Sequence, residues 1–154
     1  MRFAFFLAAL LIGAAPAFAE SRLKAVATFS ILGDFVRNVG GDRVEVTTLV
    51  GPDSDAHVYA PTPLDAKKIA GAALIVVNGL GFEGWLPRLV QSSGSKAKVI
   101  TASDGITPLR VGSDADPHAW QSVGNAKVYV ANIRAALSAS DPAGSAQYRA
   151  NAEA

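Results

Sequence analysis

Short apolar runs alternate along the chain with stretches whose apolar positions recur every three or four residues. Four runs predict β-strands: Leu23–Thr28 (LKAVAT), Val44–Val50 (VEVTTLV), Leu74–Asn78 (LIVVN) and Lys98–Thr101 (KVIT). Between the first two, Ile31, Leu32, Phe35, Val36 and Val39 share one face of a helix, and the Gly40-Gly41 pair stops it. Pro63 opens a second helix that runs to Ala73 and carries Leu64, Lys67, Lys68 and Ile69. A third is expected within Phe82 to Gln91, where Pro87 is tolerated only if the helix begins near Gly84. After Trp120, Val128, Val130, Ile133, Ala136 and Leu137 are spaced for burial on a long helix that ends at Asp141-Pro142. A further helical start, GSAQYRANAEA, reaches the last residue with no stop signal, so the sequence is expected to be a fragment that ends inside an element.

Strands alternating with helices at this rhythm imply βαβ units, hence an α/β fold with a parallel four-stranded sheet flanked by helices. The runs LIVVN and KVIT lack polar alternation, as expected of strands covered on both faces. In such sheets ligands gather beyond the carboxyl ends of the strands, where loops and helix starts converge.

The two ends of the sequence and its composition narrow the setting. Residues 1–19 combine Arg2, an apolar run from Phe3 to Ile12 and small residues at Ala17 and Ala19, the pattern of a cleavable signal peptide. The run is shorter than the ~20 residues needed to cross a bilayer. A periplasmic protein is therefore expected. Cysteine is absent, which excludes disulfides, thiolate nucleophiles, thiolate ligands and a lipid-attachment site. A formal net charge of +1 gives no reason to expect nucleic acid as a partner, and a monomer is expected.

The chain has only two histidines, His57 in DSDAHVYAPTP and His118 in DADPHAW. One follows the second strand and the other lies in the long connection after the fourth, so both are expected on the same edge of the sheet. Neutral imidazole ligates zinc and related transition metals. Asp55 and Asp116 each stand two residues before a histidine, where a carboxylate could hold the ring nitrogen that faces away from the ion. Pro52, Pro61, Pro63 and Pro117 limit the freedom of both loops. Residue types alone favour two solvated surface imidazoles over a metal site, and two nitrogens are half of a tetrahedral set.

Two other chemistries compete. Gly79, Gly81 and Gly84 in GLGFEG follow a strand and precede a helix, as in a dinucleotide-binding oxidoreductase, with Asp104 at the distance of a ribose-binding acid. Glu83 argues against this reading, because it sets a negative charge where a pyrophosphate would lie. A tight strand-to-helix turn is the simpler account of the glycines. An exported metal-dependent hydrolase would need a general base beside the ion, and neither histidine belongs to an H-E-x-x-H arrangement. No serine sits in a G-x-S-x-G elbow. Trp85 and Trp120 are expected to pack, Trp120 over the second histidine loop.

Taken in order, the signal peptide, ATFSILGDFV, GPDSDAHVYAPTP, VVNGLGFEGWL and DPHAW resemble the amino-terminal lobe of the metal-binding solute receptors that serve zinc and manganese ABC importers. The resemblance implies one lobe of a two-lobed receptor fold, with residues 20–143 as the metal-binding lobe and residues 144–154 as the start of the helix linking it to a second lobe. It implies His57 and His118 as metal ligands, with two further ligands from that second lobe. It also implies Zn2+ or Mn2+ as transported cargo, an inner-membrane ABC permease as partner, and capture in place of catalysis. The zinc branch often carries a histidine-rich insertion before DPH. The short GITPLRVGSDA found here leans toward manganese, or toward a zinc receptor without the insertion.

Overall fold

The structure, a computed structural model, describes residues 21–154. The signal peptide expected over residues 1–19 lies outside the described residues. The order is β1 (Leu23–Phe29), α1 (Ser30–Gly40), β2 (Val44–Val50), α2 (Pro63–Ala70), β3 (Leu74–Val77), α3 (Leu86–Ser93), β4 (Lys98–Thr101), a hairpin of β5 (Arg110–Val111) and β6 (Asp114–Ala115), α4 (Val123–Ser140) and α5 (Ser145–Glu153). Strands β1 to β4 form one sheet in the order β2-β1-β3-β4, and every pair is parallel. The α/β fold with a parallel four-stranded sheet is as the pattern predicts.

Right-handed crossovers decide where the helices go. The chain leaves β1 toward one edge through α1, then returns through α2 and continues to the other edge through α3, which sets α2 and α3 on the face opposite α1. The packing agrees: α1, α4 and α5 contact one another, and α2 contacts α3. The two central strands are buried, β3 throughout and β1 from Ala25 to Phe29. Leu32, Val36 and Val39 of α1 and Tyr129, Ile133 and Leu137 of α4 complete that side of the core.

Four expectations are corrected. Strand β4 is not covered on both faces: it lies at the edge of the sheet, and Lys98 and Val99 are exposed. Helix α2 stops at Ala70, with Gly71 as its cap, and not at Ala73. Helix α3 starts at Leu86 and not near Gly84, because residues 79–85 are taken up by a turn with positive φ at Gly79, Leu80 and Gly81; Pro87 then falls in the first helical turn, where its missing N–H costs nothing. In α4 it is Tyr129 that is fully buried, while Val128 is only half-buried. The β5–β6 hairpin, closed at Gly112 with φ 63°, has no counterpart in the sequence pattern, since two-residue strands carry no periodicity to read.

Asp141 ties the far end of the sheet to the last helix. Its carboxylate accepts from Arg43 Nε (2.8 Å) and Nη2 (3.1 Å), and from the Tyr148 hydroxyl (2.5 Å). These partners hold its carboxyl down at about 2, Arg43 contributing most and Tyr148 next. An acid with a depressed folded pKa stabilises the fold fully above its unfolded value, about 3.9, and loses that contribution as pH falls through the folded one. Urea midpoints are therefore expected to fall between about pH 4 and pH 2, and Asp141→Asn is expected to lower the neutral-pH stability by about 1–2 kcal/mol while flattening that fall. An unchanged acid profile in the variant would show that Asp141 is not one of its sources.

Candidate metal centre

At the carboxyl ends of β1 and β3 the chain departs toward opposite edges of the sheet, which opens the crevice that such folds use for ligands. The floor of this crevice is a buried polar layer. Glu83, 8 % exposed, accepts from the Thr28 hydroxyl (2.7 Å), the Asn78 amide (2.6 Å) and the Gly79 amide (3.1 Å). Burial pushes its carboxyl above the usual carboxylate range, and the bonds from Thr28, Asn78 and Gly79 offset part of that rise. The dinucleotide reading fails here for a physical reason: Glu83 already fills the glycine-rich turn with its own carboxyl group and uses the amides a phosphate would need. Gly79 has a further role, since a Cβ there would lie 2.4 Å from Thr101 Cγ2.

Above this layer is an aromatic one. The Phe82 ring packs on Phe29 (centroids 5.1 Å) and Trp120 (5.1 Å), and both imidazoles rest against it, His57 at 4.6 Å and His118 at 6.1 Å. Trp120 also stands 5.3 Å from the His118 ring, the packing role expected of it.

The His57 loop is fixed at three points. The Trp85 indole donates to the Ala56 carbonyl (3.0 Å), the Asp55 carboxylate accepts the His57 backbone amide (2.8 Å), and the Tyr59 hydroxyl donates to Asp65 (2.8 Å). Asp65 is the buried acid of a capping box with Thr62 at the start of α2, and Lys68 also reaches it (3.1 Å). Burial alone would raise its carboxyl, but hydrogen bonds from Thr62, Tyr59 and Lys68 outweigh that and hold it at about 2. Tyr59 is correspondingly raised to about 12 by its burial and by its bond to Asp65. Asp55 thus corrects an expectation: its carboxylate holds the backbone of the loop, not the imidazole.

Asp116 does hold a ring. Its Oδ1 accepts both the His118 amide (2.9 Å) and Nδ1 (2.7 Å), and these two bonds, the amide first, keep its carboxyl below the usual range. A proton fixed on Nδ1 leaves the lone pair of His118 on Nε2. That atom lies 3.1 Å from Nε2 of His57. The structure therefore brings together two residues separated by 61 positions, with His57 exposed and His118 partly so, at an edge open to solvent. Two nitrogens each 2.0–2.1 Å from one tetrahedral ion stand about 3.3 Å apart, and about 2.9 Å apart at a right angle. The observed separation falls between these. Among the described residues no group of three or more histidine, cysteine, aspartate or glutamate side chains is placed to hold an ion, so two nitrogens are what these residues offer one at this edge.

Phe82, Asn78 and the structural use of Glu83 escape sequence reading. Phe82 and Glu83 sit inside a motif that reads as a turn, and Asn78 ends an apolar run as any strand terminus would. The one available signal is a set of polar residues, Thr28, Asn78 and Ser103, at or just beyond the carboxyl ends of β1, β3 and β4; all are buried.

A family model described as "ZnuA: Zinc-uptake complex component A periplasmic" matches residues 25–154. The chain is 44% identical over 134 residues to the manganese-binding lipoprotein MntA of Halalkalibacterium halodurans, covering 86% of this chain and 44% of that protein. It is 39% identical over 145 residues to the iron-binding protein YfeA of Yersinia pestis, covering 90% of this chain and 46% of that one. Among solved structures, a Mn-bound periplasmic metal binding protein from Candidatus Liberibacter asiaticus superposes with a TM-score of 0.81 at 41% identity, over 86% of this chain and 51% of that one. Zn(II)-bound AdcA from Streptococcus pneumoniae superposes with a TM-score of 0.78 at 32% identity, over 86% of this chain and 29% of that one. The chain thus spans less than half the length of the two curated relatives named.

Proposed function

Because the chain belongs to the ZnuA family of periplasmic zinc-uptake components, we propose that it is the amino-terminal, ion-capturing lobe of a periplasmic solute receptor. It takes up Zn2+ or Mn2+ as cargo for delivery to an inner-membrane ABC permease. His57 and His118 each donate a neutral Nε2 to the ion. Residues 20–143 form the lobe, and residues 144–154 begin the helix that links it to a second one.

The observation that carries this reading is the 3.1 Å separation of the two Nε2 atoms, with Asp116 fixing the tautomer of His118. Without an ion, one nitrogen donates its proton to the other. With an ion, both lone pairs must face it, so the His57 proton moves to Nδ1 while His118 is already arranged. Capture fits this chemistry better than hydrolysis. Asp116 holds the His118 ring at Nδ1 and its backbone amide, and Asp55 holds the His57 amide, so both carboxylates beside the histidines serve to position the two loops.

On titration with Zn2+, the imidazole nitrogen resonances of both histidines are expected to shift together and to reach their end point at no more than one ion per chain. If one ring alone responds, or neither, the shared site is lost. Protons compete for the same lone pairs, so affinity is expected to fall from about pH 8 to pH 5, with calorimetry in buffers of different ionisation enthalpy showing more protons released per ion as pH drops. Equal affinity across that range would remove imidazole as the ligand.

A further inference from the structure

Asn78, the residue just beyond β3, is wholly buried, and every polar atom of its side chain is engaged. Nδ2 donates to the carbonyls of Gly79 (3.0 Å) and Pro117 (2.9 Å), and Oδ1 accepts the Tyr129 hydroxyl (2.6 Å). The backbone of Asn78 is held too, its amide by Glu83 (2.6 Å) and its carbonyl by the Ser103 hydroxyl (2.6 Å). One side chain therefore links the end of β3, the loop residue that precedes His118, and the buried face of α4.

The chemistry of the linkage is specific. Two carbonyl oxygens face one end of the amide and a hydroxyl faces the other, so only one orientation of the amide satisfies all three. Rotation by half a turn would set Oδ1 against two carbonyls. Pro117 has no N–H, so its carbonyl is the backbone group by which that point of the loop can be held. The segment from Pro117 to Tyr129 is tied at both ends to the same side chain, and His118 lies next to one of the two knots.

We propose that Asn78, oriented by the Tyr129 hydroxyl, is a positioning residue for metal capture: by fixing the Pro117 carbonyl it sets His118 Nε2 against His57 Nε2. Asp116 decides which nitrogen of His118 faces the ion, and Asn78 decides where that nitrogen stands. The inference rests on His118 being a ligand, as proposed above.

The test is Tyr129→Phe, which deletes one hydroxyl and keeps the ring that fills the core. Zn2+ affinity, measured against a chromophoric chelator, is expected to fall about tenfold, with the amide resonances of Asp116 and of residues 118–121 displaced in the metal-free protein and those of β1 and β2 unmoved. Ile133→Val, a truncation on the same helix that also lowers stability, is expected to bind Zn2+ as the unaltered chain does. The inference is overturned if Tyr129→Phe keeps full affinity with the resonances of Asp116 and of residues 118–121 in place, or if Ile133→Val loses affinity to the same extent, which would trace the effect to stability alone. A His118→Ala variant that still binds Zn2+ normally would instead remove the ligand assignment on which the inference stands.

Discussion

Replacing both histidines by alanine is expected to weaken Zn2+ binding at least about a hundredfold, beyond what the loss of an outer-shell partner usually costs, and to leave the urea midpoint nearly unchanged. The two halves of this expectation have separate grounds. Affinity collapses because no other group of candidate ligand side chains among the described residues could take over. Stability survives because His57 is exposed and the His118 side chain is 40% exposed, so neither contributes much buried area. Each single variant should behave almost like the double one, since a lone imidazole must compete with water for every other position on the ion. Competition titration with a chelator and urea unfolding on the same samples would check both halves. Binding that survived in the double variant would discard both residues as ligands.

The second large effect is expected in stability. Glu83→Ala removes the carboxylate that accepts from the Thr28 hydroxyl and from the Asn78 and Gly79 amides in a place from which water is nearly excluded. Orphaned buried donors cost about 1–3 kcal/mol each. Allowing for water entering the vacated space, the variant is expected to lose about 4 kcal/mol, a large part of a typical margin of 5–15 kcal/mol. Glu83→Gln keeps the volume but turns an N–H toward an N–H, and should lose about half as much. Chemical denaturation at neutral pH measures both, and a loss under about 1 kcal/mol for alanine would mean that the three donors find other acceptors. The pH sign differs from that of Asp141. Burial raises the folded pKa of Glu83, so on acidification the folded state takes up this proton first, and Glu83 resists acid unfolding where Asp141 and Asp65 promote it.

How far the sequence reveals this molecule depends on whether a feature is written in periodicity or in three-dimensional meeting points. Strands β1 to β4, α1 and α4 are legible because burial imposes a repeat on their apolar residues. The shared edge of His57 and His118 is legible because parallel α/β topology sends every loop that leaves a strand to the same end of the sheet. The roles of Asp55 and Asp116 are not: both stand two residues before a histidine, yet one bonds only to backbone and the other also to the ring, a difference set by local rotation of the chain. Asn78 is legible only as the last residue of a strand, since its partners at positions 117 and 129 are brought to it by the fold. Glu83 reads as an obstacle to phosphate, and the structure turns that obstacle into the keystone of the turn.

Strand β4 leaves one row of its backbone amides and carbonyls without a strand neighbour, and Val99 beside them is 46% exposed. Such a rim is a template on which another chain could extend the sheet, the first step toward insoluble aggregates. Its brevity and the ammonium groups of Lys96 and Lys98 at its entry act as gatekeepers, repelling an identical rim that approaches edge to edge. Neutralising both lysines would trade away colloidal stability without touching a single contact in the core, whereas reversing both charges would keep identical rims apart.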